Sequence, residues 1–258
     1  MIKILLAGFT GSMGQKAINL INNNDDMQLS GVYSPHCTDD HSKYNLSSEV
    51  NIYNSLNQIT DNFDVWVDFT QPDAVYENTK FAIEHNIHPV IGTSGMSDEH
   101  QKELISLSKD KQMGGIIAPN FGLSAVLLMK FAGEAAKYFP DAEVIEMHHQ
   151  DKKDAPSGTA LNTAKIIGQN RDDSAVSDDE IKDNLSGSRG GTYDGVHVHA
   201  VRLPGYVAHE QVLFGGAGEA LTLRQDSFDR GSFMKGVKVA IQKVSDLDHL
   251  LIGLENIL

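Results

Sequence analysis

The chain has 258 residues, 40% of them hydrophobic, which is enough to bury one large core or two modest ones. Its 21 Lys+Arg against 35 Asp+Glu give a net charge of −14, and no Lys/Arg stripe with interleaved aromatics offsets this, which excludes a nucleic-acid binder. The lone Cys37 excludes an intrachain disulfide and a cysteine-based zinc cluster, and suits a reducing cytoplasm.

In chain order, Ile2 to Ala7 is an Ile/Leu run broken only by Lys3, the pattern of a parallel strand covered on both faces. Its centre, Ile4 to Ala7, is shorter than the roughly 7–15 residues of an export signal. Met13, Ala17, Leu20 and Ile21 recur at helical spacing and predict a helix that Asn22 to Asp26 ends. Leu29 to Tyr33 reads as a second strand. Asp64 to Phe69, His88 to Gly92 and Gly115 to Ala118 read as further strands, separated by helices over Ala74 to His85 and Asp98 to Lys109. Such alternation predicts an α/β fold with a doubly wound parallel sheet.

After Asn120 the pattern changes. Leu123 to Tyr138 predicts a long helix; its apolar part is interrupted by Lys130 and Glu134 and falls short of the about 20 residues of a membrane span. Glu143 to His149 reads as a strand and Pro156 to Gly168 as a helix, followed by a polar surface excursion from Asn170 to Gly191. Val196 to Leu203, Tyr206 to Phe214 and Glu219 to Gln225 read as strands split by Pro204-Gly205 and Gly215-Gly216. Tight turns between strands predict an antiparallel sheet, and hence a second, α+β domain. Phe233, Val237, Ala240, Ile241 and Val244 mark a last amphipathic helix.

Gly8-Phe9-Thr10-Gly11-Ser12-Met13-Gly14 leaves the first strand and opens the first helix, the setting of a Rossmann-type dinucleotide loop. Small residues admit a pyrophosphate, and the helix start offers N–H groups and partial positive charge. The spacing is G-x-x-G-x-x-G rather than G-x-G-x-x-G. At the end of the second strand, Ser34-Pro35 supplies neither the carboxylate that holds a ribose 2′-hydroxyl nor the Arg that holds a 2′-phosphate. NADH and NADPH therefore both stay open.

The densest chemistry lies from Glu146 to Ala160, where His148, His149, Lys152 and Lys153 fall within six residues and reverse the sign of charge over that short stretch of an acidic chain. Pro156-Ser157-Gly158-Thr159 reads as a helix entry with Pro in its first turn, whose amides can receive a carboxylate. Lys152 adds a full positive charge. An imidazole beside such a site can transfer a proton near neutral pH. Two plainer readings compete: a solvated strand end, and a histidine metal site joining His197 and His199 to one of the pair. His197 and His199 are expected instead to line or flank the substrate cleft, or to be satisfied strand histidines.

These residues resemble the 4-hydroxy-tetrahydrodipicolinate reductase (dihydrodipicolinate reductase) family. The likeness is carried by the glycine loop, Val67-Asp68-Phe69-Thr70 with Pro72, Gly92-Thr93-Ser94-Gly95, Ala118-Pro119-Asn120-Phe121, the segment Glu146 to Ala160, and Val201-Arg202 with Gly205. It implies that Gly8, Phe9, Thr10, Gly11, Ser12 and Met13 hold the pyrophosphate of NADH or NADPH. It further implies that Gly92, Thr93, Ser94, Ala118, Pro119, Asn120 and Phe121 line the nicotinamide side. His148 would be the proton donor and acceptor, Lys152 a second proton donor, and His149, Gly158 and Thr159 the binders of a small dicarboxylate. The implied domains are 1–121 with 231–258 for the dinucleotide and 122–230 for substrate and assembly into a homotetramer, with hinges near Phe121 and Arg230. No resident metal, nucleic acid or membrane partner is implied. A non-catalytic NAD(P)H sensor is the alternative from another class, but such a protein has no need of a proton donor beside an anion-binding helix start. A histidine-metal hydrolase is a third.

Overall fold

The computed structural model describes residues 1–172, 182 and 184–258, and the chain forms two units, Met1–Phe121 with Phe233–Leu258, and Gly122–Ser232. The first unit opens with β1 (Ile2–Ala7), α1 (Ser12–Asn22), β2 (Met27–Tyr33), α2 (His41–Tyr44), β3 (Asn51–Tyr53) and β4 (Val65–Asp68). It continues with α3 (Val75–Glu84), β5 (His88–Ile91), α4 (Asp98–Lys111) and β6 (Gly115–Ile117). The second unit comprises α5 (Leu123–Ala136), β7 (Asp141–His148), α6 (Gly158–Asn170), β8 (Gly191–Tyr193), β9 (Val196–Arg202), β10 (Ala208–Gly216) and β11 (Glu219–Ser227). The chain then returns to the first unit as α7 (Met234–Lys243) and β12 (Leu250–Ile252).

The first unit is a seven-stranded parallel sheet in the order β12-β6-β5-β4-β1-β2-β3. The chain moves outward from β1 through β2 and β3, then crosses back to β4 on the other side of β1. This reversal makes the C-terminal ends of β1 and β4 the switch point at which such sheets bind ligands. Burial explains the apolar strands: Ile4, Leu5, Leu6, Trp66, Val67, Val90 and Ile91 are all fully buried. The sequence pattern does not mark the edge strands β3 and β12 or the short helix α2. Three or four residues are too few to show a period.

The second unit contains a five-stranded sheet in the order β11-β10-β7-β9-β8. The expectation of an antiparallel sheet is corrected here. β9 and β10 do not pair across Pro204-Gly205, because β7 lies between them, antiparallel to β10 and parallel to β9. Central placement suits β7, whose Val144 and Glu146 are both fully buried. Leu128 and Ala132 of α5 and Ala164 and Ile167 of α6 pack on one sheet face against Val144, Val198, Val212 and Phe214. The expected surface excursion over 170–191 falls partly outside the described residues. Its ends are regular, since α6 runs to Asn170 and β8 begins at Gly191. Among the described residues no helix is long and apolar enough to cross a membrane.

Candidate active site

In the first unit the loop from β1 to α1 forms a cradle of backbone. Gly8 has φ +76°, and a Cβ there would lie 2.4 Å from the Phe69 carbonyl oxygen that follows β4. At Gly14 a Cβ would lie 2.4 Å from the Gly8 carbonyl oxygen, so α1 packs directly onto the loop. Thr10, Gly11 and Ser12 are exposed at the tip, while Phe9 is fully buried and meets Tyr44 edge-on at 5.0 Å. Gly11 is the N-cap of α1 and contributes no side-chain hydrogen bond. The first-turn amides, Met13 among them, are therefore left for a ligand. A cradle that any Cβ would fill, opening onto a helix start at the switch point, fits a dinucleotide pyrophosphate.

The next loops leave the sheet in step. Gly92 N–H donates to the Asp68 carbonyl at 2.9 Å and Ala118 N–H to the Ile91 carbonyl at 2.9 Å. Phe69 and Phe121 meet edge-on at 6.2 Å and close around Gly92, where a Cβ would lie 2.4 Å from the Phe69 ring. Asp68 is fully buried, and five donors surround it. They are Trp66 Nε1, Asn78 Nδ2, the Thr70 amide and hydroxyl, and the Thr93 hydroxyl at 2.9 Å. This carboxylate fixes Thr93 in place, whereas Ser94 and Pro119 are exposed and Asn120 half-buried. At the corner after β2, Ser34 accepts from the Cys37 amide through its carbonyl and donates its own N–H to Tyr53.

In the second unit, β7 places Glu146 and His148 on one sheet face, two residues apart. His148 Nδ1 lies 2.5 Å from Glu146 Oε2, with the carboxylate fully buried and the imidazole side chain 16% exposed. Arg202, directly opposite His148 in the β7–β9 register, holds Glu146 with two nitrogens at 2.8 and 2.7 Å. It also donates to the Asp154 carbonyl at 2.7 Å, which ties down the loop after β7. The Ser157 amide donates to Glu146 Oε1 at 3.0 Å. Burial works to raise the Glu146 carboxyl, but hydrogen bonds from His148 and Arg202 outweigh it and hold the group below the usual carboxylate range.

The same loop delivers α6. Pro156 was expected inside the first helical turn; it lies outside, and Ser157 is the N-cap, its hydroxyl accepting from Ala160 N–H at 3.2 Å. A serine cap displaces the helix start by two residues because it satisfies an amide that Pro156 cannot. Gly158 and Thr159 therefore head α6, and a Cβ on Gly158 would meet nothing within 4 Å. His149 follows β7 and is half-buried. Lys152 pairs with Asp154 at 2.7 and 2.9 Å, so its ammonium is held within this loop.

Of the two expectations for His197 and His199, the structure bears out the strand-histidine reading for His199 and not the cleft-lining one. By register with Glu143 and Ile145 they occupy the sheet face opposite Glu146 and His148. His199 Nε2 lies 2.8 Å from Glu143, which also pairs with Arg189. They do not line the His148 site. Among the described residues no group of three or more His, Cys, Asp or Glu has metal-binding spacing. Sequence reasoning singled out neither Glu146 nor Arg202 for a role. The i, i+2 spacing of Glu146 and His148 on a strand was the available signal for the first. Arg202 could be found only once β9 was known to pair with β7.

Backbone amides at a sheet switch point are suited to a dinucleotide, and an imidazole backed by a buried carboxylate is suited to proton transfer. That division of labour defines a two-domain, nicotinamide-nucleotide-dependent oxidoreductase of Rossmann fold. Models of the dihydrodipicolinate reductase N-terminus and C-terminus match residues 2–121 and 124–258. A 4-hydroxy-tetrahydrodipicolinate reductase of Lactobacillus acidophilus is 62% identical over 99% of this chain and 98% of its own length. One of Streptococcus uberis is 47% identical over 100% and 99%. A dipicolinate-bound dihydrodipicolinate reductase from Paenisporosarcina sp. TG-14 superposes with a TM-score of 0.93, at 44% identity and full coverage of both chains. A probable dehydrogenase from Thermotoga maritima, 12% identical with a TM-score of 0.66 over 99% of this chain and 92% of its own, shares the fold alone. The chain belongs to the dihydrodipicolinate reductase family.

Proposed function

We propose that this chain catalyses the NAD(P)H-dependent reduction of 4-hydroxy-tetrahydrodipicolinate to tetrahydrodipicolinate with loss of water, the step its curated relatives are named for, in the diaminopimelate route to lysine. The observation that carries the reading is the Glu146 carboxylate, which holds His148 through one oxygen and the Ser157 amide through the other. A proton-handling imidazole and an anion-binding helix start are thereby built as one object.

Gly8 to Met13 hold the pyrophosphate on backbone amides, and Gly92, Thr93, Ser94 and Ala118 to Phe121 receive the nicotinamide. When bound, NAD(P)H supplies the hydride. The substrate's carboxylates are received by the Gly158 and Thr159 amides and by His149, which supports orientation as a main source of acceleration. The open space at Gly158 supports close approach of such a group, and the dipicolinate held by the Paenisporosarcina relative is a ligand of that chemistry. The ring carbon next to the reduced position needs a proton, and His148 donates it from Nε2, since Nδ1 is committed to Glu146. Lys152 acts second, lending positive charge to the substrate carboxylate and, once released from Asp154, a proton.

The chain further assembles as a homotetramer through the second sheet. Its face away from α5 and α6 carries Ile145 and Leu213, only partly buried in the single chain. A cytoplasmic location accords with the buried Cys37 thiol, whose pKa burial raises. The test is an assay with synthase-generated substrate that follows loss of reduced-nicotinamide absorbance with NADH and with NADPH. Turnover with at least one coenzyme is expected; binding of coenzyme without oxidation would favour a sensor. Light scattering at a single-chain mass would end the tetramer reading.

A further inference from the structure

Glu146 is an unusual residue to bury. It is fully enclosed, on the central strand of its sheet, in a face packed with Val144, Val198 and Val212 and beside a second buried carboxyl, Glu210, which Thr163 hydrogen-bonds. An ionised carboxylate there is tolerated only when paired and fully hydrogen-bonded. The structure meets that demand from three sides, with the Arg202 fork, the Ser157 amide and His148 Nδ1. A carboxylate held this firmly cannot turn to follow the imidazole; the imidazole must take its orientation from the carboxylate. A second His–carboxylate pair in the same sheet shows the contrast. Glu143, which bonds His199 on the other face, is 35% exposed and its other oxygen goes to Arg189. Solvent screens that pair, whereas nothing screens Glu146.

We propose that Glu146 is the positioning residue of His148, and that Arg202 and the Ser157 amide fix Glu146 so that Nδ1 keeps its hydrogen and Nε2 is the nitrogen presented to substrate. Arg202 is then a third-party anchor that acts through Glu146. The same fork reaches the Asp154 carbonyl, so the loop carrying His149 and Lys152 shares its anchor with the imidazole. The proposal rests on His148 being the proton donor.

The test joins kinetics with nitrogen NMR of ¹⁵N-histidine-labelled protein at alkaline pH, His148 being assigned by its loss in His148→Gln. Wild type should show Nδ1 protonated and Nε2 bare. Glu146→Gln should lower kcat by about 10²-fold or more while KM for substrate stays within about threefold, because neutralising a histidine's carboxylate partner costs mainly the reacting tautomer. Its His148 signals should move toward the other tautomer. Because Glu146→Gln leaves Arg202 without its counter-charge, Glu146→Gln/Arg202→Gln serves as the charge-balanced second variant, with the same expected tautomer change. A wild-type spectrum with Nε2 protonated overturns the proposal without any variant. So does a folded variant that keeps either the wild-type tautomer or near wild-type kcat. Should His148→Gln itself turn over normally, the proton-donor reading fails instead, and the two failures are distinguishable.

Discussion

The chain begins the helices α1 and α6 at loops built by opposite means. At the start of α1 no side chain caps the helix, and glycines at 8 and 14 are required by contacts closer than any Cβ tolerates. At the start of α6 the serine cap is tied to a buried ion pair, and the glycine at 158 faces open space. The first site is shaped by what the backbone leaves out, and it offers only partial charges. The second is held by full charges and carries a titratable group. On the proposed function, a cofactor that keeps the same pyrophosphate through turnover suits the first, and a substrate that must gain a proton suits the second.

Five changes would break or sharpen that contrast, the largest first. His148→Gln should lower kcat by roughly 10²–10⁴-fold, the usual loss of a general acid, with little change in KM, as steady-state kinetics would show. Replacing Glu210 tests the charged character of the second unit more broadly. Glu210 lies opposite Glu146 in the β7–β10 register, accepts a hydrogen bond from Thr163 at 2.5 Å, and is pushed by burial up to about 7 from 4.5. A carboxyl with a raised folded-state pKa stabilises the fold fully below its unfolded value. That stability is lost as pH rises from about 4.5 through about 7. The lost term is on the order of 3 kcal/mol, so Glu210→Gln should gain stability over wild type across that window and hold the gain above it. Urea melts of both proteins at several pH values would read it, and parallel curves would refute the assignment.

Gly8→Ala should cost about 1–3 kcal/mol and weaken coenzyme binding, since φ +76° and the Phe69 carbonyl both oppose a side chain. Thermal melts with and without NADPH measure the two effects. Ser157→Ala should cost about 1 kcal/mol for the lost cap while leaving the amide bond to Glu146 in place. Gly158→Ala should change stability by no more than about 0.5 kcal/mol, since the new methyl meets nothing, yet raise the substrate KM. Equal destabilisation by Gly8→Ala and Gly158→Ala would erase the distinction between the two helix starts.

The parallel sheet of the first unit was legible because its central strands are mostly buried on both faces, so that apolar residues dominate stretches such as Ile4 to Ala7 and Val65 to Val67. The glycine loop was legible for a related reason: close approach leaves few residue types possible. Pro156-Ser157 was misread by two positions, because a proline and a serine both mark helix entries and only the Ser157–Ala160 hydrogen bond decides between them. For His197 and His199 two readings stayed open, because alternation along a strand gives two faces without saying which one receives the helices, and register with Glu143 and Ile145 removes the cleft-lining one.

Local constraints, then, are what the sequence determined by itself: which segments are strands, where the backbone must be bare, and where imidazole and ammonium groups cluster. Tertiary structure alone decided that β7 lies between β9 and β10, bringing Arg202, 56 residues along the chain, onto Glu146. Strand order is set by pairings between segments far apart in the chain, a property of the whole sheet that no single segment carries.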